Sequence, residues 1–345
     1  GRHYFSDMYE TPGSDWEAAA PQFVAESFHK QKNPLFAIKW MKEGKRLITG
    51  TSKGDILTWN APVLTYSVST VHKNERVQSI TLSNFEKYVI SGDKSGNIVY
   101  SNTKMSQKNA FTAHENSCIR DLSFSISSHK FVSCADDTWA KVWDFATARE
   151  ELVFREHRSD IKSCDWHPTK SLILTGSKDQ YVKIWDPRAG GRNVNEIHAH
   201  NTTINQVRWN PVNGNWFLTG SRDHKIKVFD IRKCNSEFNC FEGHEEQVTV
   251  VTWHPHKEEL FASASHKGEI IFWLAKSAGR EGMLHRIDNA HKQMIWGMAW
   301  HPSGQMLASS GNDQRVRLWG IQRPYEALQV PNLATPYPQY YNHHR

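Results

Sequence analysis

Short runs of apolar residues that end in an aromatic side chain recur along the chain. The runs are rich in β-branched residues, are separated by polar turn residues, and nowhere give way to a sustained helical period. The terminal aromatics follow one another at intervals of 41 to 46 residues, and they are Trp59, Tyr100, Trp143, Trp185, Phe229, Trp273 and Trp319. This period is typical of four-stranded propeller blades. The pattern therefore predicts an all-β fold, a seven-bladed β-propeller.

A second landmark repeats in phase with these strands. A dipeptide ending in His, such as Ala113-His114, lies some 27 to 30 residues before six of the aromatics. Gly-His-type and Trp-Asp landmarks in this register resemble those of WD-repeat proteins, and the resemblance covers residues 23–323. The flanking segments do not share the pattern. We therefore expect short irregular extensions, at residues 1–22 and in a Pro/Tyr-rich tail at 324–345.

The WD-repeat resemblance implies that blades are locked by a tetrad of His, Ser or Thr, Asp and Trp. A buried carboxylate needs donors, and imidazole and hydroxyl groups supply them. Matching by offset gives complete tetrads in the third, fourth and seventh blades: His114, Ser133, Asp137 and Trp143; His157, Thr175, Asp179 and Trp185; His291, Ser309, Asp313 and Trp319. The fifth blade has Phe229 in place of Trp. The first, second and sixth have Lys53, Lys94 and Lys267 at the Asp offset, which predicts irregular blades.

The tripeptide Trp-His-Pro suggests metal or catalytic chemistry at first sight. It occurs at 166–168, 253–255 and 300–302, and Trp209-Asn210-Pro211 is a near-copy. A zinc site needs ligands that converge at about 2 Å. Neighbouring copies are 43 to 47 residues apart and so fall on different blades. We interpret them as turns after each blade's first strand, and we expect neither a metal nor a cofactor.

Composition and motifs argue against an enzyme or a membrane protein. The chain has five scattered cysteines without a Cys-x-x-Cys pair, which favours a reducing compartment over a disulfide framework. It has no run of 18 apolar residues. Nucleophile-elbow, zincin and phosphate-loop motifs are absent from the sequence. These features predict a non-catalytic binding platform with no membrane partner.

Positive charge is concentrated in one quarter of the chain. Residues 30–108 carry a net charge of +8, whereas residues 1–29 carry −4. The basic group contains His29, Lys30, Lys32, Lys39, Lys42, Lys45, Arg46, Lys53, Lys73 and Arg76. Phosphates of nucleic acid are the commonest partner of such a group. Tyr66 lies in the same segment and is a candidate platform for stacking an unpaired base.

Longer stretches resemble one subfamily closely, the WD-repeat subunit of the cleavage and polyadenylation specificity factor. The matching stretches include NPLFAIKWMKEGKRLITGTSKGDILTWN (33–60), DIKSCDWHPTKSLILTGSKDQYVKIWDPR (160–188) and MIWGMAWHPSGQMLASSGNDQRVRLWGIQRP (294–324). The resemblance implies a nuclear scaffold of pre-mRNA 3′-end processing. It also implies that this scaffold docks on a large multi-propeller subunit and, with a zinc-finger subunit, holds the AAUAAA-type polyadenylation signal.

By correspondence with that subfamily, five residues are expected to contact RNA: Phe28, Lys30, Lys32, Tyr66 and Val68. The subfamily also has a basic arm before the propeller, whereas residues 1–22 here are acidic. A different class of function is left open by Trp185-Asp186-Pro187-Arg188, since Trp-Asp-x-Arg recurs in substrate receptors of cullin-type ubiquitin ligases.

Overall fold

The computed structural model describes residues 20–83, 87–234, 236–277 and 279–320. Within these ranges, 28 strands form seven four-stranded antiparallel sheets, which confirms the predicted seven-bladed propeller. The expected extensions at 1–22 and 324–345 lie, except for residues 20–22, outside the described residues. The ring itself runs from Gln22 to Gly320.

The strands follow one another as regular meanders. The first strand is β1 (Gln22–Phe28). Blade 1 contains β2 (Leu35–Trp40), β3 (Arg46–Thr51), β4 (Asp55–Asn60) and β5 (Thr65–Thr70). Blade 2 contains β6 (Val77–Leu82), β7 (Tyr88–Asp93), β8 (Asn97–Asn102) and β9 (Gln107–Thr112). Blade 3 contains β10 (Ile119–Phe124), β11 (Lys130–Ala135), β12 (Ala140–Asp144) and β13 (Arg149–Phe154).

The remaining blades repeat the same order. Blade 4 contains β14 (Ile161–Trp166), β15 (Ile173–Ser177), β16 (Tyr181–Trp185) and β17 (Asn193–His198). Blade 5 contains β18 (Ile204–Trp209), β19 (Trp216–Ser221), β20 (Lys225–Asp230) and β21 (Asn239–Glu242). Blade 6 contains β22 (Val248–Trp253), β23 (Leu260–Ser265), β24 (Ile270–Leu274) and β25 (Met283–Ile287). Blade 7 contains β26 (Ile295–Trp300), β27 (Met306–Gly311) and β28 (Arg315–Gly320).

The ring closes through its first strand. β1 pairs antiparallel with β28 and so becomes the outer strand of blade 7. Two ion pairs reinforce this contact: Glu26 binds Arg315 at 2.5 Å and Arg317 at 2.9 Å. Closure removes the edge that β28 would otherwise expose to other chains.

The meander gives the ring two distinct faces. The turns between second and third strands, and the loops that lead into the next blade, lie on one face, which we call the upper face. The other turns lie on the opposite, lower face. Apolar side chains fill the space between neighbouring blades, as where Ile90 and Ile98 of blade 2 pack with Ile119 of blade 3. The buried core is therefore a ring of similar inter-blade layers.

The inner strands shape the upper mouth of the central channel. Each of the seven has a bulge at its second residue, where the pairing register shifts. Bulges re-aim side chains. The bulged residues all line the channel, and they are Phe36, Gln78, Arg120, Lys162, Asn205, Thr249 and Trp296. The channel mouth is thus lined by side chains that differ from blade to blade.

Candidate nucleic-acid interface

The three tetrads matched by offset are joined by hydrogen bonds. In blade 4, His157 Nδ1 lies 2.8 Å from Asp179, His157 Nε2 lies 2.7 Å from the Thr175 hydroxyl, and Trp185 Nε1–H donates to that hydroxyl at 2.8 Å. A neutral imidazole with its proton on Nδ1 satisfies every group in this chain of bonds. Blades 3 and 7 have the same three hydrogen bonds, with distances that agree with those of blade 4 to within 0.2 Å.

The hydrogen bonds of the tetrads stabilise the negative charge of the buried carboxylates. Burial opposes ionisation of Asp179, but hydrogen bonds from His157 and two backbone N–H groups bring its pKa to about 2. Burial also lowers the pKa of His291, and the Asp313 carboxylate offsets this only in part. Asp179 is therefore ionised and His291 neutral at physiological pH, and the closed chain of hydrogen bonds gives the tetrads a structural role.

Two blades expected to be irregular have a carboxylate in place. In blade 6, Glu269, two residues after Lys267, binds His244 Nδ1 at 2.6 Å. In blade 2, Asp93, immediately before Lys94, binds His72 Nδ1 at 2.9 Å. The fixed-offset interpretation of these blades was wrong because the carboxylate comes from a different position of a turn of unchanged length. The Glu269 side chain reaches His244 from the residue immediately before β24, where a search for acids near the offset would have found it.

Blade 1 departs from the pattern in a different way. His29, which sequence analysis placed in the basic group, is fully buried and occupies the position of the tetrad histidine. Its Nδ1 accepts from Asn33 N–H at 3.3 Å, and its Nε2 has no partner within the described part of the chain. Burial lowers the pKa of His29, so it contributes no positive charge at neutral pH. Trp59 still donates to Thr49, at 2.8 Å.

The Trp-His-Pro turns join neighbouring blades on the lower face. His254 Nε2–H donates to Gly304 O at 3.0 Å, and its ring lies 4.8 Å from that of Trp300 in the next blade. The same clasp joins blades 4 to 5, 5 to 6, and 7 to 1, through the pairs His167–Gly214, Asn210–Glu258 and His301–Gly44. Within the described residues, no group of three or more His, Cys, Asp or Glu side chains could hold a metal ion.

The basic group divides between different parts of the molecule. Lys42 and Lys45 lie in the lower turn that joins β2 and β3, and Arg46 is the first residue of β3. Lys39 lines the channel, where burial and the charge of Arg208 lower its pKa. Only the lysines in upper-face loops, such as Lys30 and Lys53, can belong to one surface. The ten residues of the basic group therefore do not all share one surface.

The structure brings together two of the five expected RNA-contacting residues. Lys30 N–H donates to the Tyr66 hydroxyl at 2.9 Å, although 36 residues separate them. The Tyr66 ring packs against Trp59, with centroids 4.5 Å apart, and against His29 at 5.8 Å. Tyr66 is consequently half-buried and its hydroxyl engaged. It fixes the loop that carries Lys30 rather than presenting a free ring face.

The other expected residues are open to solvent around this contact. Phe28, at the upper end of β1, is 56% exposed. Val68, two residues beyond Tyr66 on the same face of β5, is 45% exposed. Lys30 and Lys32 are exposed on the loop that leads from β1 into blade 1. We call residues 28–33 together with 66–68 the loop site. It combines an apolar aromatic face with two lysines, a combination that suits single-stranded nucleic acid.

The Trp-Asp-Pro-Arg tetrapeptide forms a self-contained turn on the lower face. The Arg188 guanidinium binds both oxygens of Asp186, at 2.9 and 2.7 Å, and this pairing lowers the pKa of Asp186. Asp230 and Arg232 repeat the geometry one blade on. The repetition shows that the motif caps the third strand of a blade. None of the helical turns among the described residues is long and apolar enough to cross a membrane.

Comparison with known proteins places the chain among repeat proteins. The family model "WD domain, G-beta repeat" matches residues 105–144, 149–186, 191–230, 234–273 and 282–320, and leaves blade 1 and the first three strands of blade 2 unmatched. A Neurospora crassa protein named polyadenylation factor subunit 2 is 34% identical over 95% of the chain and 54% of its own length. A Candida albicans protein of the same name is 30% identical over 89% of the chain and 60% of its own length. The chain therefore spans little more than half of these relatives.

Proposed function

Because the chain belongs to the WD domain, G-beta repeat family and is similar over most of its length to proteins named polyadenylation factor subunit 2, we propose that it serves in mRNA 3′-end processing as a non-catalytic scaffold. The observation that carries the proposal is this similarity, which extends over blade 1 and the part of blade 2 that the family model leaves out. The proposed place of action is the nucleus, where pre-mRNA is processed.

The proposed RNA ligand is a single-stranded polyadenylation signal of AAUAAA type, bound at the loop site. An adenine would stack on the exposed face of Phe28, since every base offers a π-face and stacking contributes about 1–3 kcal/mol per base. Lys30 and Lys32 would contact phosphates, and Val68 would pack against the edge of a base. Tyr66 acts as a positioning residue, because its hydroxyl holds the backbone of Lys30.

The loop site is small, so selectivity for a hexamer requires further protein surface. The proposed partners are a large multi-propeller subunit, on which the ring docks, and a zinc-finger subunit that shares the RNA. The propeller suits this role because its inter-blade clasps and tetrads hold many loops in fixed relative positions. The scaffold itself would contribute position and charge rather than a reacting group.

Fluorescence anisotropy tests the proposal, with AAUAAA-containing RNA compared with a scrambled hexamer in the presence of the other core subunits. We expect Phe28→Ala and Lys30→Glu each to weaken AAUAAA binding by about tenfold. Phe238→Ala is the matched control, because Phe238 is also an exposed aromatic but lies in blade 5. Equal binding of both RNAs, or no effect of either loop-site variant, would contradict the proposal, as would co-purification with cullin adaptors in place of processing subunits.

A further inference from the structure

Five exposed lysines lie on consecutive upper-face loops of blades 1 and 2. We call Lys30, Lys32, Lys53, Lys73 and Lys94 the lysine row. Backbone hydrogen bonds join the loops that carry them. Ser52 N–H donates to Pro34 O, His72 N–H to Gly54 O, and Lys94 N–H to Arg76 O. The row therefore begins at the loop site and continues without interruption to the blade 2 turn.

The lysine row lacks the acidic partners that neutralise most lysines of blades 3–7. Within the described residues, none of its five members forms an ion pair with Asp or Glu. In blades 3–7, by contrast, eight lysines do so: Lys130, Lys141, Lys162, Lys183, Lys225, Lys227, Lys267 and Lys276. Unpaired like charges on neighbouring loops repel one another, which a bound polyanion relieves.

Arg76 ends the row beside the channel mouth. Its guanidinium lies 4.7 Å above the ring of Phe36, and the Phe36 ring lies 5.1 Å from that of Trp296. Both rings belong to bulged residues that line the channel. The cation is thereby held at the rim, next to the turn that carries Lys94. The positive surface thus runs from the outer edge of blade 1 to the centre of the ring.

We propose that the lysine row binds the phosphate backbone of the RNA that flanks the signal hexamer, an inference that rests on the proposed function. A protein partner would need apolar anchors as well as charge. None of the exposed large hydrophobic side chains of the described residues lies in the loops at 51–54, 72–76 or 93–96. A row of flexible point charges without apolar contacts suits a phosphate backbone of any sequence. Because the row leaves the loop site in one direction, it serves one flank only.

The test compares three labelled RNAs: AAUAAA alone, and AAUAAA extended by uridines on the 5′ side or on the 3′ side. The full chain is assayed with the other core subunits by fluorescence anisotropy at several salt concentrations. We expect one of the two extended RNAs to bind more tightly than the hexamer. The double variant Lys73→Gln/Lys94→Gln should abolish that gain, lower the affinity for this RNA by about tenfold, and reduce the slope of log K against log salt by about 1.4.

Lys45→Gln/Lys170→Gln is the matched control, since it removes two exposed lysines from lower-face turns. It should leave all three RNAs unaffected. Suppose that the Lys73→Gln/Lys94→Gln variant binds the extended RNAs as tightly as the unmodified chain does and still selects AAUAAA over the scrambled hexamer. That result would contradict RNA binding by the lysine row and leave the proposed function intact. If extended RNA binds through the lysine row but AAUAAA and a scrambled hexamer bind equally well, the proposed function is wrong, whereas phosphate binding by the lysine row is supported. Polyglutamate and polyuridylate are then compared as competitors for the bound RNA. If polyglutamate displaces the RNA as effectively as polyuridylate does, RNA is not the specific ligand of the lysine row.

Discussion

Histidine side chains stabilise this propeller in two ways that depend on the neutral imidazole. In the tetrads, Nδ1–H donates to a carboxylate while Nε2 accepts from a hydroxyl, as in His157 between Asp179 and Thr175. In the lower-face clasps, Nε2–H donates to a carbonyl of the next blade while Nδ1 accepts from backbone N–H groups, as in His254. Each role uses both ring nitrogens, which no other side chain offers in so compact a form.

His254 provides a direct test of the clasp. Replacement with Ala removes the bond to Gly304 O and the contact with Trp300, and we expect a loss of about 2–3 kcal/mol in the free energy of unfolding. Replacement with Asn should cost less, because Asn210 makes the same bond naturally, to Glu258 O at 2.7 Å. Urea unfolding of both variants measures the difference. Equal destabilisation by Ala and Asn would show that the hydrogen bond contributes nothing.

At the scale of strands, the ring has one non-covalent junction that differs from all others. Every blade except the last is a continuous meander, whereas blade 7 takes its outer strand from the start of the chain. Pairing between β1 and β28, the Glu26 ion pairs and the packing of Val24 and Ala25 against the core hold that strand in place. The loop site lies directly after β1, so ring closure and the position of Phe28 depend on the same contact.

Glu26→Lys tests this junction. The new lysine would face Arg315 and Arg317, and we expect the amides of β1 and β28 to exchange with deuterium at least tenfold faster. Glu151→Lys in blade 3 is the matched control, because it reverses the same charge on an outer strand and breaks one pair with Lys130. The covalent turn to β12 keeps β13 in place, so exchange there should change little. Comparable exchange in both variants would contradict a special role for the β1–β28 contact.

The whole molecule is asymmetric around its axis. Clasps join blades 4, 5, 6, 7 and 1 on the lower face, whereas the corresponding residues in blades 1, 2 and 3 are Met41, Ser83 and Ser125. The lysine row occupies the upper face of blades 1 and 2. The clasps are thus concentrated in blades 4–7, whereas the unpaired positive charge lies on blades 1 and 2.

The buried histidines together predict a dependence of stability on pH. Burial lowers the pKa of His29, His167, His200, His244, His254, His291 and His301, in His254 to about 4. The unfolded chain therefore binds more protons below pH 6.5, and the free energy of unfolding must fall as the pH falls from about 6.5 toward 4. At pH 5, the lowered pKa of His254 alone reduces the free energy of unfolding by about 2 kcal/mol.

Urea midpoints measured between pH 7.5 and 4.5 check this expectation. The midpoint should be constant above about pH 7 and fall below pH 6.5. In the His254→Asn variant the fall should be shallower, because one of the titrating groups is gone. A midpoint that stays level down to pH 5 would show that these histidines titrate alike in the folded and unfolded chain.

The repeat period determined the fold and most tetrad positions, because each blade folds through contacts between residues close in sequence. Trp185 and Thr175, for example, lie ten residues apart on paired strands. The fixed offset failed for Glu269 and Asp93, since more than one position of the same turn can place a carboxylate against the histidine. The same pattern could not show that His29 is buried, because its environment combines Tyr66 of blade 1 with Gln314 near the other end of the ring.

The sequence by itself determined the seven blades, the tetrads of blades 3, 4 and 7, and the excess of positive charge in the first two blades. Only the tertiary structure decided which of those charges share a surface. Lys39 and Lys53 are both basic residues of blade 1, yet one lines the channel and the other the upper face. Neither period nor composition contains that information, because which lysines share a surface depends on how strands and turns orient residues distant in sequence. Tyr66 and Lys30 meet for the same reason, through ring closure that brings the end of β1 against blade 1.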